Sequence, residues 1–122
     1  MELLEKDLTE KAIGACFEVS NELGAGFLES VYRKALIIVL LQLGLNASEE
    51  SALKVFFRGQ IVGDFYADVL VENRLIIELK AVRSLTAEHE AQLVNYLKAT
   101  KIKVGLVVNF GRSKLEWKRL VY

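Results

Sequence analysis

Near the start of the chain Ile13, Cys16, Phe17, Ser20 and Leu23 recur at three- and four-residue spacing, the period of a helix with one face turned inward. Asp7, with Glu10 three residues on, is placed to cap its start. Gly24-Ala25-Gly26 ends it, since glycine accepts the left-handed backbone that helix ends commonly require. Leu28, Val31, Tyr32, Ala35, Leu36, Val39 and Leu43 form a second helical stripe, closed by Gly44. The period then changes. Ala52 to Phe57, Ile61 to Val71 and Leu75 to Val82 are rich in Val, Ile, Phe and Leu, and short connectors, Arg58-Gly59-Gln60 and Glu72-Asn73-Arg74, separate them. Such spacing predicts a three-stranded antiparallel meander. Thr86 caps a third helix to about Ala99, Val104 to Asn109 reads as a buried strand, Gly111-Arg112-Ser113 as a turn, and Leu115 to Val121 as a last strand. The order ααβββαββ predicts an α+β, sandwich-like domain in which helices flank one mixed five-stranded sheet.

Composition bounds the picture. The chain has 122 residues, 52% hydrophobic and 26% charged, an ordinary globular balance for one domain. Its one cysteine, Cys16, leaves no internal disulfide. Met1 to Lys6 lacks the apolar run of a secretory leader, so the expected location is cytoplasmic. The longest apolar run, Ala35 to Leu41, is far below the ~20 residues that span a bilayer, so no membrane partner is expected. Sixteen basic residues balance sixteen acidic ones, which argues against a protein that coats nucleic acid, since such affinity comes from neutralising many phosphates. An enzyme touching a few phosphates is still allowed. Lys98, Lys101 and Lys103 cluster, and Arg112, Lys114, Lys118 and Arg119 follow; these are a solvated face or a phosphate contact.

The third strand reads Ile76-Ile77-Glu78-Leu79-Lys80-Ala81. Alternation puts Glu78 and Lys80 on one side, roughly 7 Å apart, and Leu75, Ile77, Leu79 and Ala81 on the other. Charged groups are seldom buried in so apolar a strand without partners. A wet sheet face carrying a Glu-Lys ion pair would account for these two alone. Asp68 enlarges the question. If the hairpin closes around Glu72-Asn73-Arg74, Val71 pairs with Leu75 and Asp68 lies opposite Glu78, the Cβ atoms about 5 Å apart. Carboxylates that close repel by roughly 4 kcal/mol at an effective dielectric of about 20. A cation then sits between them, or one stays protonated. Lys80 can neutralise one, and a hard divalent ion such as Mg²⁺ suits both. A two-residue turn at Asn73-Arg74 would set Asp68 opposite Leu79 and turn it away, so register decides the matter.

Asp68 followed by Glu78-Leu79-Lys80 resembles the Asp…(Asp/Glu)-x-Lys signature of the PD-(D/E)XK nucleases. Gly26-Phe27-Leu28-Glu29-Ser30-Val31-Tyr32 matches the motif that names the GxxExxY family, small proteins of about this length placed in that superfold. Gln92-Leu93-Val94-Asn95-Tyr96 resembles the Gln-x-x-x-Tyr helix motif of its RecB-type branch. The resemblance runs from about Leu8 to Val121. It implies one restriction-endonuclease-like domain over residues 1–122 and metal-dependent hydrolysis of DNA or RNA phosphodiesters. By this resemblance Asp68 and Glu78 would hold Mg²⁺ or Mn²⁺, with Glu29 reaching the ion directly or through water. Lys80 would orient or help deprotonate the attacking water, and Gln92 and Tyr96 would position the substrate or support the metal's surroundings. The sequence departs from the pattern at Ala67, where the name motif has proline, at Tyr66, where arginine is frequent, and in the apolar run Ile37 to Leu41.

Plainer roles stand beside these. Glu29 suits the first turn of a helix by charge alone. Tyr32 fits a core position with its hydroxyl bonded at the edge, and Gln92 with Tyr96 fits an exposed helix stripe. His89, the single histidine, lies near a helix start. Cys16, on an apolar face with no neighbouring His or Lys, fits as buried filler. For the whole chain the alternative to a nuclease is a nuclease-fold binding or assembly module that keeps the metal site without turnover. Ile37 to Leu41 is apolar nearly all round, which suits a homodimer through the second helix.

Overall fold

The computed structural model describes residues 3–122. Helices α1 (Lys6–Leu23) and α2 (Glu29–Gln42) come first, then strands β1 (Ala47–Phe57), β2 (Gln60–Val71) and β3 (Leu75–Lys80). Helix α3 (Ala87–Thr100) and strands β4 (Val104–Asn109) and β5 (Glu116–Val121) complete the expected order. The strands stand as β1-β2-β3-β4-β5, antiparallel except for the parallel pair β3–β4. Parallel neighbours need a crossover connection, and α3 supplies it.

Alternation along the strands divides the core. Val69, Val71, Leu75, Ile77, Leu79, Val104, Leu106 and Val108 share one cluster with Leu8, Ala12 and Val19 of α1 and with Tyr32, Leu36 and Leu40 of α2. Leu70, Ile76 and Val107 meet Leu93 and Leu97 of α3 on the other side. A Cβ on Gly105 would lie 2.9 Å from the Leu93 side chain, so the glycine is what lets α3 approach β4 so closely.

The decisive register is the one that the three-residue loop predicts. Val71 pairs with Leu75, Leu70 with Ile76 and Val69 with Ile77. Glu72 and Asn73 adopt left-handed backbone, with φ 54° and 55°, and the Arg74 amide donates to the Val71 carbonyl at 3.0 Å. The β1–β2 hairpin turns at Arg58 and Gly59, φ 50° and 79°, the conformation that two-residue hairpin loops favour.

Several local expectations are corrected. Asp7 does not cap α1: the N-cap is Glu5, left-handed at φ 52° and without a side-chain cap bond, and Asp7 lies in the first turn. The buried stripe of α1 is Leu8, Ala12, Ala15, Cys16 and Val19, and Phe17 is exposed; the small side chains of Ala12 and Ala15 are the ones that fit against the core. On α2, Leu28, Val31 and Leu43 are exposed while Tyr32, Leu36 and Leu40 are buried. Strand β1 begins at Ala47, ahead of the apolar run, because Ala47, Ser48 and Glu49 pair with Val71, Leu70 and Val69. Strand β3 ends at Lys80 rather than Val82, whose backbone is taken by the Asn109 side chain.

Candidate active site

Ile76 packs towards α3 and Leu75, Ile77 and Leu79 pack towards α1 and α2, so alternation directs Glu78 and Lys80 to the α3 side. The β2–β3 pairing stops at Val69–Ile77. One residue further, the Leu79 amide donates to Asp68 Oδ2 at 2.8 Å, so a side chain replaces the next rung and fixes the carboxylate against β3. The β1–β2 ladder is also interrupted here: Glu49 pairs with Val69 and Ser51 with Ala67, while Glu50 between them has φ 52°. Glu78 is buried, 8% exposed, and its Oε1 has no hydrogen-bond partner among the described residues. Burial first, and the neighbouring Asp68 carboxylate second, push the Glu78 carboxyl up to about 8, with Lys80 opposing them. Lys80 is half-buried and forms no ion pair among the described residues.

Helix α3 brings Tyr96 into the same place. Its ring stacks on Phe65 of β2 with centroids 3.7 Å apart and planes 10° from parallel. Gln92 Nε2 donates to the Tyr96 hydroxyl at 2.9 Å. Burial and the charges of Glu78 and Asp68 raise the Tyr96 phenol, and Gln92 opposes them. The helix starts at Thr86, whose hydroxyl accepts from the His89 amide at 3.3 Å while His89 Nδ1 accepts from the Thr86 amide at 3.1 Å. His89 thus closes a capping box in which its ring does the work usually given to Glu or Gln.

Glu29 is brought less close. It stands exposed at the first position of α2 with no hydrogen bond or ion pair to Asp68 or Glu78. Among the described residues no group of three His, Cys, Asp or Glu side chains is gathered as a cation site. Tyr32 of the same motif is fully buried, stacks on Phe110 at 4.8 Å, donates to the Gly24 carbonyl at 2.6 Å and accepts from the Phe27 amide at 3.2 Å. Its hydroxyl therefore ties down the loop that leads into Glu29. Gly26 within that loop has φ 112°, which side-chain-bearing residues rarely adopt.

The profile described as the PD-(D/E)XK nuclease superfamily matches residues 6–120. The chain belongs to the PD-(D/E)XK nuclease superfamily. A solved structure titled "Crystal structure of SSO0001" is similar in fold, with a TM-score of 0.59 and 22% sequence identity over 96% of this chain. This chain spans 58% of that protein's length. A search of curated proteins returns no match.

Nucleases of the PD-(D/E)XK superfamily generally use divalent metals, and the donors present fit such an ion. Glu78 Oε1 is a buried oxygen with no hydrogen-bond partner among the described residues, beside a second carboxylate held by a backbone amide, and hard cations of the Mg²⁺ kind take oxygen donors. Two protein carboxylates suffice for Mg²⁺, which keeps several waters.

Two further residues, outside the sequence motifs, hold the surroundings of the site. Asn109, fully buried at the end of β4, accepts from the Val82 and Gly111 amides and donates to the Val82 carbonyl and Glu116 Oε1. It fastens the segment after Lys80 to β4 and β5, and an asparagine in the apolar run Val104 to Phe110 was its signal. Arg33, on α2, pairs with Glu49 and Glu50 at 2.9 Å each, beside the interruption opposite Asp68. The Glu49 hydrogen bond is the main cause that holds its guanidinium above the usual value, and Asp68 adds to it. No sequence pattern announces Arg33, because its partners lie on another element.

Proposed function

We propose that the protein hydrolyses phosphodiester bonds of nucleic acid with the help of Mg²⁺ or Mn²⁺. The observation that carries this is the buried, partnerless Glu78 oxygen set against Asp68 on the face shared with Lys80. Asp68 and Glu78 would hold the ion, and Glu29 would assist through water. A bound divalent ion supplies Lewis acidity, lowering the pKa of water and neutralising charge that builds on phosphoryl oxygens. Lys80, unpaired and half-buried, orients the attacking water and donates to a phosphate oxygen, as a partly desolvated amine can. Attack by water forms the new P–O bond as the bridging P–O bond breaks; the water gives up a proton to solvent and the leaving oxygen takes one from solvent. Tyr96, set by Phe65 and Gln92, positions the strand. The Gly26 to Tyr32 and Gln92 to Tyr96 motifs support placement in the GxxExxY family on the RecB-type branch. The whole chain is read as one such domain.

Incubation with generic DNA and RNA tests the proposal. Cleavage should appear with Mg²⁺ or Mn²⁺ and vanish in Asp68→Ala and Lys80→Ala. Cleavage that survives both substitutions overturns it.

A second reading, a binding or assembly module that keeps the ion without turnover, is favoured by the lack of a third converging acid among the described residues and by zero net charge. Calorimetric metal binding without cleavage of any substrate would select it. Ile38 and Leu41 are exposed on α2, which supports a homodimer through that helix; light scattering measures it.

A further inference from the structure

Beyond the carboxylates, the edge where β1 meets the end of α3 carries a second feature that no part of the hydrolytic chemistry uses. An open groove of about 520 Å³ runs between β1 and the end of α3, lined by Leu53, Lys54, Phe56, Lys98, Thr100 and Lys101 among others. Its charged lining is three lysines and no acid. Lys54 and Lys101 form no ion pair among the described residues, Asp64 opposite Lys54 in the ladder included. Lys98 rests its amine 5.3 Å from the Tyr122 ring. Phe56 is 58% exposed beside these amines, and the hairpin beyond it exposes Phe57, Ile61, Val62 and Tyr66, with the Arg58 guanidinium over the Phe57 ring.

The groove also leads to the carboxylates. Leu53 is the ladder partner of Phe65, Phe65 stacks on Tyr96, and Tyr96 feels the charges of Glu78 and Asp68.

We infer that this groove binds single-stranded nucleic acid, its lysines taking phosphates and Phe56 taking an unstacked base. The inference rests on the phosphodiesterase reading for the strand's destination, and its own content is the substrate class. A duplex offers phosphates but hides base faces, so exposed apolar rings next to lysines suit a single strand. The lysines alone would be a solvated face. The apolar floor between them, and its continuity with Tyr96, are what select this ligand.

The test separates binding from hydrolysis. The Asp68→Ala protein in chelator is titrated into fluorescent oligothymidylate, oligouridylate and a duplex of mixed sequence, with anisotropy read across a salt series. The single strands should bind at least tenfold more tightly than the duplex, the two single-strand arms telling DNA from RNA. Adding Lys54→Gln and Lys101→Asn should weaken binding about tenfold and flatten the slope of log affinity against log salt by about 1.4, since each single-strand phosphate contributes about 0.7. Asparagine is chosen because position 101 has φ 62° and asparagine tolerates that backbone. Phe56→Ala should weaken binding about tenfold with the slope unchanged, and Lys11→Ala on α1 should do nothing. Equal duplex binding, or affinity and slope unmoved in a lysine variant that keeps the parent's unfolding temperature, overturns the inference. So does light scattering that shows a dimer broken by Phe56→Ala, which would assign the hairpin to a second copy. Absence of cleavage by the unsubstituted protein with Mg²⁺ or Mn²⁺, with binding intact, would instead remove the hydrolytic reading and leave the groove standing.

Discussion

Glu78 concentrates the energetics of the site in one side chain. Its folded carboxyl titrates at about 8 against 4.5 for the free group, mainly because burial penalises the charge. A raised folded pKa means that the protonated form suits the fold. Its contribution is therefore intact below about pH 4.5 and is lost as pH rises through about 8, each unit costing up to about 1.4 kcal/mol. Chemical denaturation in chelator should show stability falling across that window, and Glu78→Gln should flatten the fall. A divalent ion should restore stability most at the alkaline end, where it replaces no proton. Tyr32 makes a second residue-scale case. Tyr32→Phe keeps the Phe110 stack but strips the hydroxyl from Gly24 and Phe27, for an expected loss of about 1–2 kcal/mol, measurable by urea denaturation.

At the scale of elements, much of the arrangement was legible because local chemistry fixes it. The Glu72-Asn73-Arg74 loop set the β2–β3 register as far as Val69–Ile77, and beyond it the Asp68 carboxylate accepts from the Leu79 amide, beside Glu78. Thr86 was legible as a cap, though the reciprocal bond from His89 was not, since imidazole is an uncommon partner there. Boundaries failed where tertiary partners overrule propensity. Ser48 and Glu49 are poor strand formers but pair along β2, and Val82 leaves β3 because Asn109 captures both its backbone groups. Asn109 is accordingly expected to matter more than its position outside the motif suggests. Asn109→Ala should cost about 1–3 kcal/mol, leaving the half-buried amides of Val82 and Gly111 without their side-chain partner. It should also raise hydrogen exchange after Lys80 while β1 keeps its protection.

The whole molecule is a mixed sheet with two helices on one face and one on the other, and the carboxylates sit where β2 stops pairing with β3. The superfamily assignment over residues 6–120 agrees with a layout already visible in hydrophobic periodicity, since periods of two and of about 3.6 leave different marks. Placement of Glu29 was not legible in the same way. Its distance from the acids depends on how α2 rests on the sheet, which the Gly24 to Leu28 loop decides, and it emerged exposed. No described helix is long and apolar enough to cross a membrane, in line with the short apolar runs. The central claim is that Asp68 and Glu78 together grip one divalent ion. Anomalous diffraction from a crystal grown with Mn²⁺ tests it most directly. A single strong peak is expected about 2.1 Å from an oxygen of each carboxylate. A well-ordered map with no peak between them, or with Mn²⁺ bound elsewhere only, would contradict it.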